Sequence, residues 1–220
     1  MTATISSIHD LLAAVERLGF LPLLESGIPG FNAEAMADDD CRYVTFDDGG
    51  WDWPLWKWKG PAIAEGNCIY GKFFASKAGF VSRRWWPELC NWRRSASAEP
   101  VAGSVEESIL LTLKEHGSMI TRDLRAMCGF TGPKMRSMFD SYVTRLQMQC
   151  RIVTEDFVYP RDRHGREYGW GWALLTTPER RYGREACRSA NSPDESRQLI
   201  LEHLATILPQ ASPRQLQRIV

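Results

Sequence analysis

Apolar positions recur in two rhythms, steps of three and four and steps of two, and these divide the chain into helices and strands. From Ile8 to Phe20, the stripe Leu11, Leu12, Val15 and Leu18 predicts an amphipathic helix, capped by Ser6 or Ser7 and stopped at Gly19. Leu21-Pro22-Leu23-Leu24 then reads as an apolar loop, and residues 25–50 as turns with acidic patches at Asp38-Asp39-Asp40 and Asp47-Asp48. Asn67–Phe74 and Ala78–Ser82 predict a β-hairpin around Ala75-Ser76-Lys77. Ser95–Gly103, small residues with one proline and one glycine, predicts a linker.

The stretch from Ser104 to Leu175 is patterned throughout. Ser104 with Glu107 predicts a helix start capped from both sides, Val105, Ile109, Leu110 and Leu113 its apolar stripe, and Gly117 its stop. Met119-Ile120 predicts a brief strand. Thr121 is the expected cap of a second helix, with Leu124 and Met127 facing inward and Gly129 ending it. Pro133 opens a third, longer helix. Its inward face is expected at Met135, Met138, Phe139, Tyr142 and Leu146, its outward face at Lys134, Arg136, Ser137, Thr144 and Arg145. Arg151–Tyr159 and Tyr168–Leu174 predict strands joined by an arginine-bearing turn, Pro160–Arg166. That order of elements is a winged helix-turn-helix, with the basic turn as its wing. In Tyr168-Gly169-Trp170-Gly171-Trp172 the aromatics fall on one strand face, leaving a bare face for the N-terminal region to approach. Leu199, Ile200, His203, Leu204, Ile207 and Leu208 predict a tail helix stopping at Pro209, and Ser212-Pro213 a short last one.

These elements give an α+β fold: a winged helix-turn-helix domain at 103–183, packed on a smaller N-terminal α+β region at 1–98, with a helical tail at 190–220. With 220 residues, 44% of them hydrophobic, the chain can build a packed core. Formal net charge is zero, yet residues 1–75 hold 5 Lys and Arg against 11 Asp and Glu, while residues 76–220 hold 22 against 16. Only the later part is therefore suited to a polyanion. No apolar run approaches the ~20 residues of a membrane span, and the N-terminus lacks a secretory pattern, so a cytoplasmic protein with no membrane partner is expected. The six cysteines stand far apart with no CxxC pair and no clustered histidine, which predicts buried free thiols and no metal. Nothing in the sequence asks for a cofactor.

The candidate nucleic-acid contacts are Lys134, Arg136 and Arg145 on the third helix and Arg161, Arg163 and Arg166 on the wing. A solvated hairpin tip would carry the same charges. Trp51 to Lys59 packs four tryptophans into eight residues; they can stack unpaired bases or form a core or domain interface, and Asp52 among them favours the second. Arg83-Arg84-Trp85-Trp86 with Trp92-Arg93-Arg94 is another basic–aromatic patch, open to nucleic acid or to internal cation–π contacts.

Several segments together resemble the AlkZ-related proteins: Leu18-Gly19-Phe20-Leu21-Pro22-Leu23, Tyr70-Gly71-Lys72-Phe73-Phe74, Lys77-Ala78-Gly79-Phe80, Leu146-Gln147-Met148-Gln149, Tyr168-Gly169-Trp170 and Thr177-Pro178-Glu179. That family is named for the winged-helix DNA glycosylases AlkZ and YcaQ. The resemblance implies double-stranded DNA, alkylated DNA included, as partner, and repair of alkylated DNA as the setting. It also implies a catalytic role in base excision for Gln147 and Gln149, which have the form of the glycosylases' Gln-hydrophobic-Gln/Asp motif. Paired amides could hold a water under the sugar of a flipped alkylpurine as the charged base leaves. This chain departs from the glycosylases in carrying the motif mid-chain and in having room for one clear winged helix. Gln149, in step with Leu146 and Tyr142, is expected on the inward face, where a glutamine can equally close a hydrogen-bond network. A winged helix that serves as a protein-interaction scaffold is the alternative, because the fold alone does not decide.

Overall fold

The computed structural model describes residues 4–25, 27–47, 50–65, 67–132 and 135–220. The N-terminal part holds α1 (Ile8–Leu18), β1 (Phe20–Pro22), α2 (Ala33–Met36), β2 (Val44–Thr45), β3 (Trp51–Asp52), α3 (Pro54–Ala64), β4 (Cys68–Phe74), β5 (Lys77–Ser82) and α4 (Trp86–Ser95). There follow α5 (Val105–His116), β6 (Met119–Ile120), α6 (Thr121–Met127), α7 (Met135–Met148), β7 (Val153–Val158) and β8 (Trp172–Thr176). The tail holds α8 (Pro178–Tyr182), α9 (Pro193–Ile207) and α10 (Pro213–Leu216). The fold is α+β.

One antiparallel sheet runs through both halves, in the order β1-β5-β4-β7-β8-β6, and β2 and β3 pair separately. The junction is narrow, a single pair between Tyr70 on β4 and Thr154 on β7. Two hydrophobic cores flank it. One gathers α1, α3, α4, β4 and β5 with Ile200, Leu204, Leu216 and Ile219 of the tail. The other holds Ile109, Leu113, Leu124, Phe139, Val143, Leu146 and Leu175. Ile152 belongs to the second core and its neighbour Val153 to the first. The two-residue period of extended chain sends adjacent side chains to opposite faces, so this one segment binds the cores together.

The apolar loop expected at Leu21–Leu24 is instead edge strand β1, with Leu21 opposite Phe80 and Pro22 opposite Gly79. Proline has no N–H to donate, and an edge strand leaves one side without a partner, so Pro22 is tolerated there. In the β4–β5 hairpin the turn is only Ala75-Ser76, at φ 48° and 70°, and Lys77 already belongs to β5. Two positive φ values suit the right-handed twist of the hairpin, although neither residue is the usual asparagine or glycine.

The tail docks on the body. Ile200 and Leu204 of α9 are fully buried, each contributing about 1.5–3 kcal/mol by area. The Glu88 carboxylate on α4 accepts hydrogen bonds from Ser189, Asn191 and Ser196. Burial raises its pKa, but the hydrogen bonds of Ser196, Ser189 and Asn191 together outweigh this and hold it below the usual carboxylate range. His203 donates from Nε2 to Leu18 O (2.9 Å) and stacks on Trp85 (4.4 Å), the partners of a packing histidine. Among the described residues, no helix is long and apolar enough to cross a membrane.

Candidate nucleic-acid interface

The α5–β8 unit presents the long helix α7 with one face in the core and one in solvent. Phe139, Val143, Leu146 and Gln147, spaced four, three and one apart, are its buried residues. Met138, expected inside, lies off that stripe and is 51% exposed. Met135 lies on it but in the first turn, and is likewise exposed. Met127 at the end of α6 is 52% exposed, not inward as its spacing suggested. Ile120, not Thr121, is the N-cap of α6; Thr121 is the first helical residue and its hydroxyl donates to Ala173 O of β8 (3.0 Å). That bond fixes the start of α6 on the sheet.

Three arginines converge where α6, α7 and β8 meet. Arg122 and Arg125 from α6 and Arg136 from α7 line a cleft of about 230 Å³ with Thr121, Asp140 and Trp172. The Arg122 guanidinium lies 4.8 Å over the Trp172 ring, and its Nε donates to Asp123 (2.8 Å). Arg136 stands 3.9 Å from Asp140. Arg125 has no ion-pair partner among the described residues. The sequence reading missed Arg122 and Arg125, although their three-residue spacing on a short helix places them on one face. Arg145, nine residues beyond Arg136 and so roughly 13 Å along the helix, pairs with Glu106 of α5. Between them Ser137 and Ser141 leave a polar, uncovered face, while Thr144 is half-buried and its hydroxyl accepts from Lys72 Nζ (3.2 Å). Lys134 and Pro133 lie outside the described residues.

The hairpin between β7 and β8 is tied by Asp162, whose carboxylate accepts the backbone N–H groups of His164 and Arg166. Arg161 pairs with Glu167 (3.2 Å), Arg166 with Asp162 (3.3 Å), and Arg163 Nε reaches His164 (3.0 Å). Exposed ion pairs of this kind are worth about 0–1 kcal/mol, so a phosphate can displace the carboxylates at little cost.

Gln147 and Gln149 have different surroundings. Gln147, 3% exposed, is the inward residue, and its Oε1 accepts the N–H of Lys72 on β4. Gln149, expected inward, sits half-buried in the turn after α7. The Gln147 contact is built into both elements. The β4–β5 register shifts between Gly71 and Phe74, and the antiparallel pairing with β7 stops at Tyr70–Thr154, since the position opposite Lys72 precedes β7, so Lys72 N–H needs an acceptor from elsewhere. An added Cβ on Gly71 would lie 3.1 Å from Gln147 Oε1 and 2.6 Å from Phe73, so glycine leaves the amide its room.

The second basic patch divides: Arg83 and Arg84 are exposed, while Arg93 and Arg94 turn inward. Arg93, 5% exposed, donates to Met148 O, Phe73 O and Ile219 O. Arg94 binds Cys150 O and Glu179. The strand expected from Tyr168 begins only at Trp172, because Gly169 and Gly171 adopt φ 74° and 73°, which extended chain does not use. The break swings Trp170 onto the N-terminal tryptophans: it stacks on Trp51 (4.9 Å) and meets Trp53 and Trp56 edge-on. Beneath them Lys59 is fully buried, its Nζ 3.1 Å from the centre of the Trp56 ring and 3.4 Å from Trp170 O. Burial pushes its pKa down to about 7.

A family model described as AlkZ related matches residues 5–220, the tail helices included. The chain belongs to the AlkZ-related family. No curated protein and no solved structure matches it. The matched span takes in both sides of the β4–β7 junction. The arginine cleft, the Gln147–Lys72 contact and the tryptophan cluster of this AlkZ-related chain thus all lie within the family's matched span.

Proposed function

We propose that residues 105–176 form a winged helix-turn-helix, with 160–167 as its wing, and that the protein binds double-stranded DNA through it. The supporting observation is the convergence of Arg122, Arg125 and Arg136 beside the uncovered face of α7. Guanidinium groups at the edge of an exposed helix suit phosphates flanking a groove, while the hydroxyls of Ser137 and Ser141 suit groups inside it. Arg161, Arg163 and Arg166 extend the contact along the backbone. The family's namesakes make alkylated duplexes, and their repair, the first setting to try. We read Gln147 as a structural amide, since its oxygen already serves Lys72, and base excision as a separate property to be assayed.

The test is a titration with plain duplex and with duplex carrying N7-alkylguanine, at several salt concentrations and with an assay for abasic sites. Affinity should fall steeply with salt, and replacing Arg122, Arg125 and Arg136 together by alanine should lower the slope by about 2 to 3. Alanine at the three wing arginines should act in the same direction. Base release abolished by Gln147→Ala or Gln149→Ala without unfolding would restore the catalytic reading of the pair. Absence of duplex binding at low salt overturns the proposal. It would leave the scaffold reading, for which the exposed Met127, Met135 and Met138 supply an adaptable apolar surface.

A further inference from the structure

A second cavity, of about 500 Å³, opens between the N-terminal region and the foot of the 160–167 hairpin. Its walls are aromatic: Trp51, Trp56, Phe157, Tyr159 and Tyr168. Trp51 and Tyr168 are 43% and 57% exposed, so these rings are not spent on the core. Asp156 also lines it, and two local features aim that carboxylate. A register shift between Thr154 and Asp156 bends β7 there, the usual effect of a bulge on side-chain direction. Opposite, Gly60 leaves the space: an added Cβ would stand 3.2 Å from Asp156 Oδ1. Asp156 Oδ1 accepts the Phe157 N–H (2.8 Å), and the carboxylate has no cation partner among the described residues. At the rim, Glu167 pairs with Arg161, which brings the arginine-bearing hairpin to the mouth.

Flat aromatic walls ask for a flat ring, and a free carboxylate asks for a ring edge that donates hydrogen bonds. Lys57, which lines the cavity, and Arg161, paired with Glu167 at the rim, add a place for phosphate. The Watson–Crick edge of guanine offers two adjacent N–H donors, where adenine and cytosine offer one amino group and thymine one ring N–H. We propose that this cavity receives the base of a guanine nucleotide, Asp156 accepting from both donors of its edge and the phosphate lying against Lys57 and Arg161. The base could come from a duplex, swung out of the stack, or from a free nucleotide. The first source rests on the DNA-binding reading; the second does not.

Calorimetric titrations separate these cases. The ligands are a fully paired duplex, the same duplex with one bulged guanine or one bulged adenine, and free GMP, IMP and AMP. The bulged guanine should bind about tenfold tighter than the bulged adenine. Asp156→Asn should erase that preference while leaving the paired duplex unaffected, and Tyr168→Ala should weaken both bulged duplexes. Both positions are exposed, so neither variant threatens the fold. GMP binding above IMP and AMP, without a preference for the bulged guanine, assigns the site to a free nucleotide. Paired-duplex binding with no guanine preference in either series overturns the proposal and leaves the DNA reading intact. GMP binding without any duplex binding does the reverse.

Discussion

Lys59 shows how one buried side chain can make the stability of the whole protein depend on pH. Its ammonium lies against the faces of Trp56 and Phe157, at 3.1 and 4.1 Å, with Trp170 O as its hydrogen-bond acceptor and no carboxylate paired with it among the described residues. Cation–π contact offsets only part of the lost hydration, and desolvation brings the pKa from its ordinary 10.5 to about 7. The sign follows from proton counts. Below about pH 7 both folded and unfolded chains carry the charge, and the destabilisation is fully present. Between about 7 and 10.5 the folded chain has released the proton while the unfolded chain keeps it, so stability rises with pH, by at most about 1.4 kcal/mol per unit. Lys59→Met keeps the stem and removes the charge. Urea unfolding between pH 6 and 9.5 should show that variant more stable than the parent at pH 6, and without the parent's alkaline gain. Equal slopes in both proteins would mean that Lys59 titrates normally and is solvated in the folded state.

At the level of elements, Gln147 joins α7 to β4 where the ladder has failed. Gln147→Ala would leave the Lys72 N–H without an acceptor in a closed contact, a loss of about 1–3 kcal/mol. The reduced urea midpoint at unchanged slope that this implies is directly measurable; an unchanged midpoint would show that water or another group replaces the amide. The sequence disclosed part of this arrangement. The helices between Ser104 and Met148 and the strand pair after them were legible because their patterns are local: cap, stripe and stop follow within a dozen residues. Contacts set by chain partners far away were not legible. Gln147 looked like half of a motif because its acceptor duty depends on a register shift in β4, 75 residues earlier. Pro22 hid β1, since a proline signals a loop unless the strand is known to be an edge. Met127 and Met138 looked inward because periodicity counts positions and does not know where the second core ends. The Trp170 contact was expected from the right region for the wrong reason, as the two glycines break the strand rather than thin one face of it. Arg122 and Arg125 were missed because α6 is too short for its outer face to stand out.

At the scale of the molecule, the question is whether two cores on one sheet behave as one folding unit. The sheet crosses between them by a single pair, Tyr70 with Thr154, which alone would be a weak coupling. Arg93 adds to it. From the last turn of α4 its guanidinium holds the end of β4 at Phe73 O, the end of α7 at Met148 O and the tail at Ile219 O. Hydrogen bonds from a charged donor are worth about 1.5–3 kcal/mol each, and these three join the N-terminal part, the α5–β8 unit and the tail through one side chain. The parent protein should therefore unfold in one step, with tryptophan emission and far-ultraviolet circular dichroism following the same curve. Most of the tryptophans lie in or against the first core, whereas dichroism reports helices in both, so separate unfolding would pull the two curves apart. Arg93→Leu should lower the stability by about 3 kcal/mol or more, and should split the curves, with the tail and first core loosening before the second. Curves that already differ in the parent would place the coupling elsewhere, and curves that stay together in Arg93→Leu would assign it to the β4–β7 junction and Gln147 instead.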